Sequence, residues 1–366
     1  MAHCELSYLQ PFRPKDFGGK MRGKSTDRSA IFLVGLLAAC VPSMSTAQNT
    51  TDYKLVTKLT LGGEGGWDYF DVDPTTGHIF IPRGDHIVVV DSAGRQLADI
   101  AGVHETHAIV FAPELKRAFL SAEGSVAVLD MEKLQPVGAI DLSGKDPDAI
   151  LYDASTKRVF TFNGGGTKDA TAIDTASGKV VGTIPLGGKP ETAQTDGEGH
   201  VFVNVEDKDQ IVAFDSTTLK VLHTWSTAPC KDPAGMAIDV VRKRLFVGCR
   251  NQLMAMVDYT SGKVVATVPI GKGVDANRFD PATGLAFASC GDGTITVAHQ
   301  DAPDKYTVVQ TIATQKGART MTLDPKSHNV YTVTADFGPP PPATPEHPHP
   351  WPTVISKTFT LLVFGQ

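Results

Sequence analysis

Seven positions carry the side chains from which a reaction or a binding site would be built: Asp68, His107, Asp148, Glu191, Ala234, Asp275 and Arg319. They recur at intervals of 39 to 44 residues, and six of the seven are ionisable. Gathered in one place, the carboxylates and the imidazole would offer oxygen and nitrogen atoms to a divalent cation. Calcium is one candidate, taking roughly six to eight oxygens from carboxylates, amide carbonyls and water. Arg319, together with Arg83, would instead clamp an anion through the guanidinium fork. A solvated polar surface in which Arg319 offsets its acidic neighbours would use the same residues with no ligand at all.

Each of these residues opens a repeated phrase, typified by Pro147-Asp148-Ala149-Ile150-Leu151-Tyr152-Asp153. Five positions on, the phrase closes with Asp73, Ala112, Asp153, Asp196, Asp239, Asp280 or Asp324. An apolar run follows, such as Ile79-Phe80-Ile81 or Leu245-Phe246-Val247, and then a second run ending on Asp91, Asp130, Asp174, Asp215 or Asp258. A turn such as Thr260-Ser261-Gly262-Lys263 leads into a last run, Val264-Val265-Ala266-Thr267-Val268. Short β-branched runs separated by Gly, Asp and Pro read as strands and hairpins. Four strands per unit at a period of about 40 residues is the signature of a propeller blade. The expected fold is all-β, a seven-bladed β-propeller over residues 54–366.

The last unit is one outer strand short, and Thr358-Phe359-Thr360-Leu361-Leu362-Val363-Phe364 supplies its final run. Leu55-Val56-Thr57-Lys58-Leu59-Thr60-Leu61 is a strand with no unit of its own. Pairing the N-terminal strand with the C-terminal blade would close the ring and remove two exposed sheet edges. The first strand of a blade lines the central channel, so the phrase-opening residues should converge at one mouth. A second tier, from the ends of the second strands, comprises Arg83, Ala122, Asn163, Asn204, Cys249, Cys290 and Thr334. The Pro-rich insert 337–352 interrupts the seventh unit between its second and third strands. Its stiff extended backbone cannot join a sheet interior, and it would overhang the mouth as a lid or a rigid filler.

These repeats resemble the YVTN-type β-propeller repeats of YncE-like bacterial proteins. Val201-Phe202-Val203-Asn204 matches the signature best, and Val159-Phe160-Thr161-Phe162 before Asn163 more loosely. Gly187-Gly188-Lys189-Pro190-Glu191, Gly291-Asp292-Gly293-Thr294 and Gly317-Ala318-Arg319-Thr320 are similar to that family as well. The resemblance implies a propeller and an exported protein. It leaves function open, because one fold hosts many activities.

Residues 1–47 read as a secretory signal with an upstream extension, and 48–53 as a short linker. Met21-Arg22-Gly23-Lys24 is a basic start, Ala30 to Ala39 a short apolar core, and Ser45-Thr46-Ala47 the small residues of a cleavage site. Leu37-Ala38-Ala39-Cys40 alternatively resembles a lipoprotein box, with anchoring through Cys40. The apolar core is too short to span a membrane. Removing six basic and three acidic residues with the leader from 34 and 40 leaves 28 and 37, a net charge of −9. That balance argues against nucleic acid, whose capture rests on cationic contacts to phosphate. Three cysteines remain, and in an oxidising compartment one pair is expected. Cys230 and Cys249 fall on the same face of the fifth unit and are the expected disulfide.

His104-Glu105-Thr106-His107 has the look of a metal motif, but residues three apart on a strand face opposite sides, so His107 alone joins the ring. Gly164-Gly165-Gly166 lacks the strand-to-helix setting of a nucleotide loop. Two functions remain. The first is an exported, monomeric envelope propeller, periplasmic or secreted, that binds a small ligand, a metal ion or a protein partner at the channel mouth. The second is a metal-dependent hydrolase resembling propeller lactonases, with Glu191, Asn163, Asn204 and Asp275 around calcium and His107 as base. Lactonase propellers commonly have six blades, against the seven expected here.

Overall fold

A run that is apolar at every position can be a strand only if both faces of its sheet are covered, and the second strand of each unit is of this kind. Arg244–Cys249 and Leu285–Cys290 are buried along their whole length. The outermost strands alternate instead, as in Lys305–Ala313, where exposed and part-buried residues take turns. The computed structural model describes residues 52–143, 145–344, 350 and 352–366. The signal segment and the cleavage or lipidation site read above lie outside the described residues.

Among the described residues, hydrogen bonding divides the strands into six sheets, of which five are four-stranded and one is seven-stranded. Where seven four-stranded blades are expected, two units are joined in one sheet by a long strand, Gln96–Ala112. Its Gln96 to Ala101 part pairs with Gly84–Val90, and its Ile109 to Ala112 part pairs with Arg117–Ala122. Gly102 and Glu105 take positive φ between the two parts, so the strand bends without ending. Lys54–Thr60 forms the outer strand of the last sheet, antiparallel to Thr360–Gly365, with Leu59 opposite Leu361. That sheet runs inward through Val330–Thr334 to Met321–Leu323.

The core lies between sheets rather than within one. Phe160, Phe162 and Ala172 of one sheet pack on Val201, Val203 and Phe214 of the next. Phe246 and Met256 likewise meet Ala286 and Ala298. A comparable layer runs inside the seven-stranded sheet, where Phe80, Ile87 and Val89 meet Ala118, Leu120 and Leu129. The two halves of that sheet therefore face one another as separate sheets do.

Turns at the end of each innermost strand are built by the phrase-closing acids. Asp73, Asp153, Asp196, Asp239, Asp280 and Asp324 each accept the backbone N–H two residues on, at 2.8 to 3.2 Å. This is the local turn that aspartate favours, and it explains why an acid recurs there. Cys230 and Cys249 form a disulfide with Cα atoms 5.7 Å apart. It joins the segment before Pro233–Asp239 to the end of Arg244–Cys249. Cys290 is unpaired and buried.

Candidate functional site

The other end of the innermost strands is built differently. Asp148 lies between Pro147, which pairs with Asn163, and Ala149, which pairs with Phe162, so Asp148 is an extra residue in the ladder. Pairing also slips across Glu191, Ala234, Asp275 and His107, between Pro190 and Ala193, Pro233 and Met236, Val274 and Ala276, and Thr106 and Ile109. A β-bulge bends the strand and re-aims a side chain. Five of the phrase-opening residues therefore leave the regular alternation at one shared position.

Their backbones are held by the adjoining unit. The Ser121 hydroxyl donates to the Asp148 carbonyl at 2.6 Å and accepts from the Ala108 amide at 3.0 Å. Asn204 donates to the Ala234 carbonyl at 2.9 Å, Thr192 donates to the same oxygen, and Ser289 donates to the Arg319 carbonyl. The Tyr69 hydroxyl reaches the Asp275 carbonyl at 3.2 Å. That phenol sits among acids from several units. Burial first, then the charges of Asp275, Glu191, Asp68 and Asp148, push it well above its ordinary pKa. Tyr69 was not among the expected site residues. Its only sequence signal is the aromatic run Trp67-Asp68-Tyr69-Phe70.

The ionisable residues divide into two groups. In the first, Glu191 is contacted by Lys189 at 3.0 Å and by Arg250 at 3.6 Å, and both cations also reach Glu206, at 2.7 and 3.1 Å. Asp275 pairs with Arg319 at 3.1 Å. Burial, then the neighbouring Glu206, raises the Glu191 carboxyl against the pull of Lys189. Burial also lifts Asp275 to about 6, although Arg319 opposes it.

Asp68, His107 and Asp148 make up the second group. One ligand atom from each lies within 4.8 Å of the other two. His107 Nδ1 stands 3.6 Å from Asp68 Oδ2. Contact with Asp68 raises the imidazole's pKa despite partial burial, and burial followed by the Asp68 charge raises Asp148. The Arg319 charge acts on Asp68, and the charges of His107 and Lys189 act on Asp148 against that rise.

The second-tier residues Arg83, Asn163 and Asn204 make contacts outside these two groups. Arg83 is fully buried, and its guanidinium donates to the carbonyls of Gly62, Glu64, Gly65 and Gly66 at 2.8 to 3.2 Å while lying over the Phe359 ring. It shapes a loop and has no fork left for an anion. Asn163 donates to Asp169 and Thr171 inside its own sheet, at 2.6 and 3.0 Å. Asn204 braces the Ala234 backbone, as above. The alternation of strand residues could not separate these roles, because all three lie on fully buried segments.

In the Pro-rich insert, Phe337 bridges to Val354, and its ring stands 6.2 Å from that of Trp67, next to Asp68. The expected overhang of the mouth involves residues 345–349 and 351, which lie outside the described residues. Among the described residues no helix is long and apolar enough to cross a membrane.

Packed four-stranded sheets whose innermost strands carry the convergent residues define a β-propeller. Residues 122–337 match the family described as outer membrane protein assembly factor BamB. The match covers more than half of the 366 residues, and the chain belongs to that β-propeller family. No curated protein matches it in sequence. Among solved structures, a chain of the mitotic checkpoint complex aligns with a TM-score of 0.69 at 12% identity, covering 93% of this chain and 99% of that one. A chain of Kuenenia stuttgartiensis hydrazine synthase aligns with a TM-score of 0.57 at 19% identity, covering 64% of this chain and 84% of that one. At such identities the likeness is one of fold.

Proposed function

We propose that this protein is an exported, YncE-like envelope propeller that binds a small polar ligand at the channel mouth formed by Asp68, His107, Asp148, Glu191, Asp275 and Arg319. The observation that carries the proposal is the ladder slip at the phrase-opening residues. A scaffold that needed only solubility there would have no use for a repeated departure from regular pairing. Seven blades are part of the proposal, with the seven-stranded sheet counted as two and the pairing of Lys54–Thr60 with Thr360–Gly365 closing the ring. The apolar layer inside the seven-stranded sheet supports that count. Export is supported by the leader-like residues 22–47, by the disulfide and by the outer-membrane role printed in the family's description.

The lactonase-like alternative is weaker, because Asn163 is hydrogen-bonded through both its oxygen and its nitrogen inside its own sheet. Binding is tested by titrating the full chain, produced with its leader, against a panel of small anions, sugars and peptides by calorimetry. Glu191→Gln and Arg319→Ala should each weaken the ligand that binds by at least about 10-fold, the scale of one lost charge-assisted contact. A panel hit insensitive to both variants would remove the mouth as the site. Cell fractionation and mass measurement of the mature chain separate cleavage after Ala47 from lipid attachment at Cys40.

A further inference from the structure

We propose that Asp68, His107 and Asp148 form a binding site for a first-row transition-metal dication, at one side of the mouth and with open coordination positions. This deepens the ligand-binding reading of the mouth and rests on it. Each ligand comes from a different repeat of the sequence, and one atom of each lies within 4.8 Å of the other two. The 3.6 Å separation of His107 Nδ1 from Asp68 Oδ2 is too long for a hydrogen bond, which closes at about 2.7–3.2 Å. It fits the edge of a ligand tetrahedron, about 3.4 Å when each ligand stands about 2.1 Å from the metal.

Charge points the same way. Glu191 and Asp275 are already compensated by Lys189, Arg250 and Arg319. Asp68 has His107 as a close partner, and Arg319 and Lys189, each in contact with another acid, act on Asp68 and Asp148 through their charge. With the imidazole's proton displaced by a metal, two carboxylates and a neutral imidazole sum to −2, which a dication cancels. The imidazole decides the metal class, since nitrogen suits zinc, cobalt or nickel and calcium prefers an all-oxygen shell. Calcium, expected from the carboxylate count alone, therefore gives way to a borderline metal. Three protein ligands leave at least one position for water or for an oxygen of the bound ligand.

The test is equilibrium dialysis of the full chain, stripped with chelator, against Zn²⁺, Co²⁺ and Ca²⁺ separately, with metal content measured by mass spectrometry. One Zn²⁺ or Co²⁺ per chain is expected, with a visible Co²⁺ d–d absorption band. His107→Ala and Asp148→Asn should each lower the affinity by more than about 100-fold, above the 10–100-fold typical of residues that merely orient a ligand. Retention of Co²⁺ with an unchanged spectrum in His107→Ala, or stoichiometric Ca²⁺ with no Zn²⁺, overturns the proposal. Thermal denaturation of the metal-free variants identifies any that fail to fold, in which case His107→Gln replaces His107→Ala. The panel titration repeated on chelated protein separates the two readings. Ligand binding that persists without metal and ignores His107→Ala leaves the mouth a binding site and removes only its metal.

Discussion

The two ends of an innermost strand carry the same residue type to opposite ends. At one end Asp153 is fully buried and accepts from Ser155, Thr156 and Thr195, the last from the adjacent sheet. Five residues earlier, Asp148 sits in a ladder slip, with its carbonyl anchored by Ser121 and its carboxylate near Asp68 and His107. Hydrogen bonds draw the Asp153 carboxyl below its ordinary range although burial pushes the other way, whereas Asp148 is raised. The difference teaches that recurrence of an acid in a repeat says little until its donors are counted. A saturated acid builds the turn, and one with few donors is left available to a cation or ligand.

The largest effect should come from the saturated end. Asp153→Ala leaves buried donors unmet at a cost of about 1–3 kcal/mol each, and a total near 4 kcal/mol is expected in denaturant unfolding. A loss below about 1 kcal/mol would break the contrast. The Ala234 unit, whose phrase opens without a charge, is braced by the Cys230–Cys249 disulfide across 19 residues. Replacing both cysteines by alanine should cost about 3 kcal/mol, the entropy of a loop that size. An unchanged melting temperature would show that the brace is redundant.

Acidity sharpens the comparison further, because the two ends must respond with opposite sign. For Asp275, with its carboxyl lifted to about 6, stabilisation is full below an unfolded value of about 3.9 and is lost as pH rises through 6. Up to about 3 kcal/mol should disappear over that window, at about 1.4 kcal/mol per pKa unit, and Asp275→Asn should flatten the slope. Asp153, lowered in the fold, contributes above about 3.9 and loses its contribution as pH falls through its folded value. Unfolding measured from pH 3 to 8 on Asp275→Asn and Asp153→Asn distinguishes the two, and slopes of one sign would sink the contrast. The smallest effect belongs to Asp148→Ala. Stability should change by less than about 1 kcal/mol, in contrast to the roughly 3–5 kcal/mol of a disrupted buried pair.

Much of this was legible in the sequence. The period, the apolar runs and the recurring turn acids follow from local patterning, and the cysteines of the disulfide fall on one face of one unit. The fusion of two units through Gln96–Ala112 was not legible, since Gly102 reads equally as a turn or a bend. Arg83, Asn163 and Asn204 were assigned to the mouth because strand alternation gives a face and says nothing of which carbonyl a side chain meets. The ladder slips were hidden for a related reason. Register belongs to a pair of strands, and one strand's residues do not record it.

Lys54–Thr60, the outer strand of the last sheet, finds its partner only at Thr360–Gly365. A chain made from its N-terminus therefore carries that strand unpaired until Thr360–Gly365 has arrived. Closing so long a loop is entropically costly and kinetically late, and an unpaired edge is an aggregation hazard in the interval. Lys54 and Lys58 on this strand supply the charge that discourages pairing with another chain. Completion of the last sheet thus reports that the chain has been delivered as far as Thr360–Gly365.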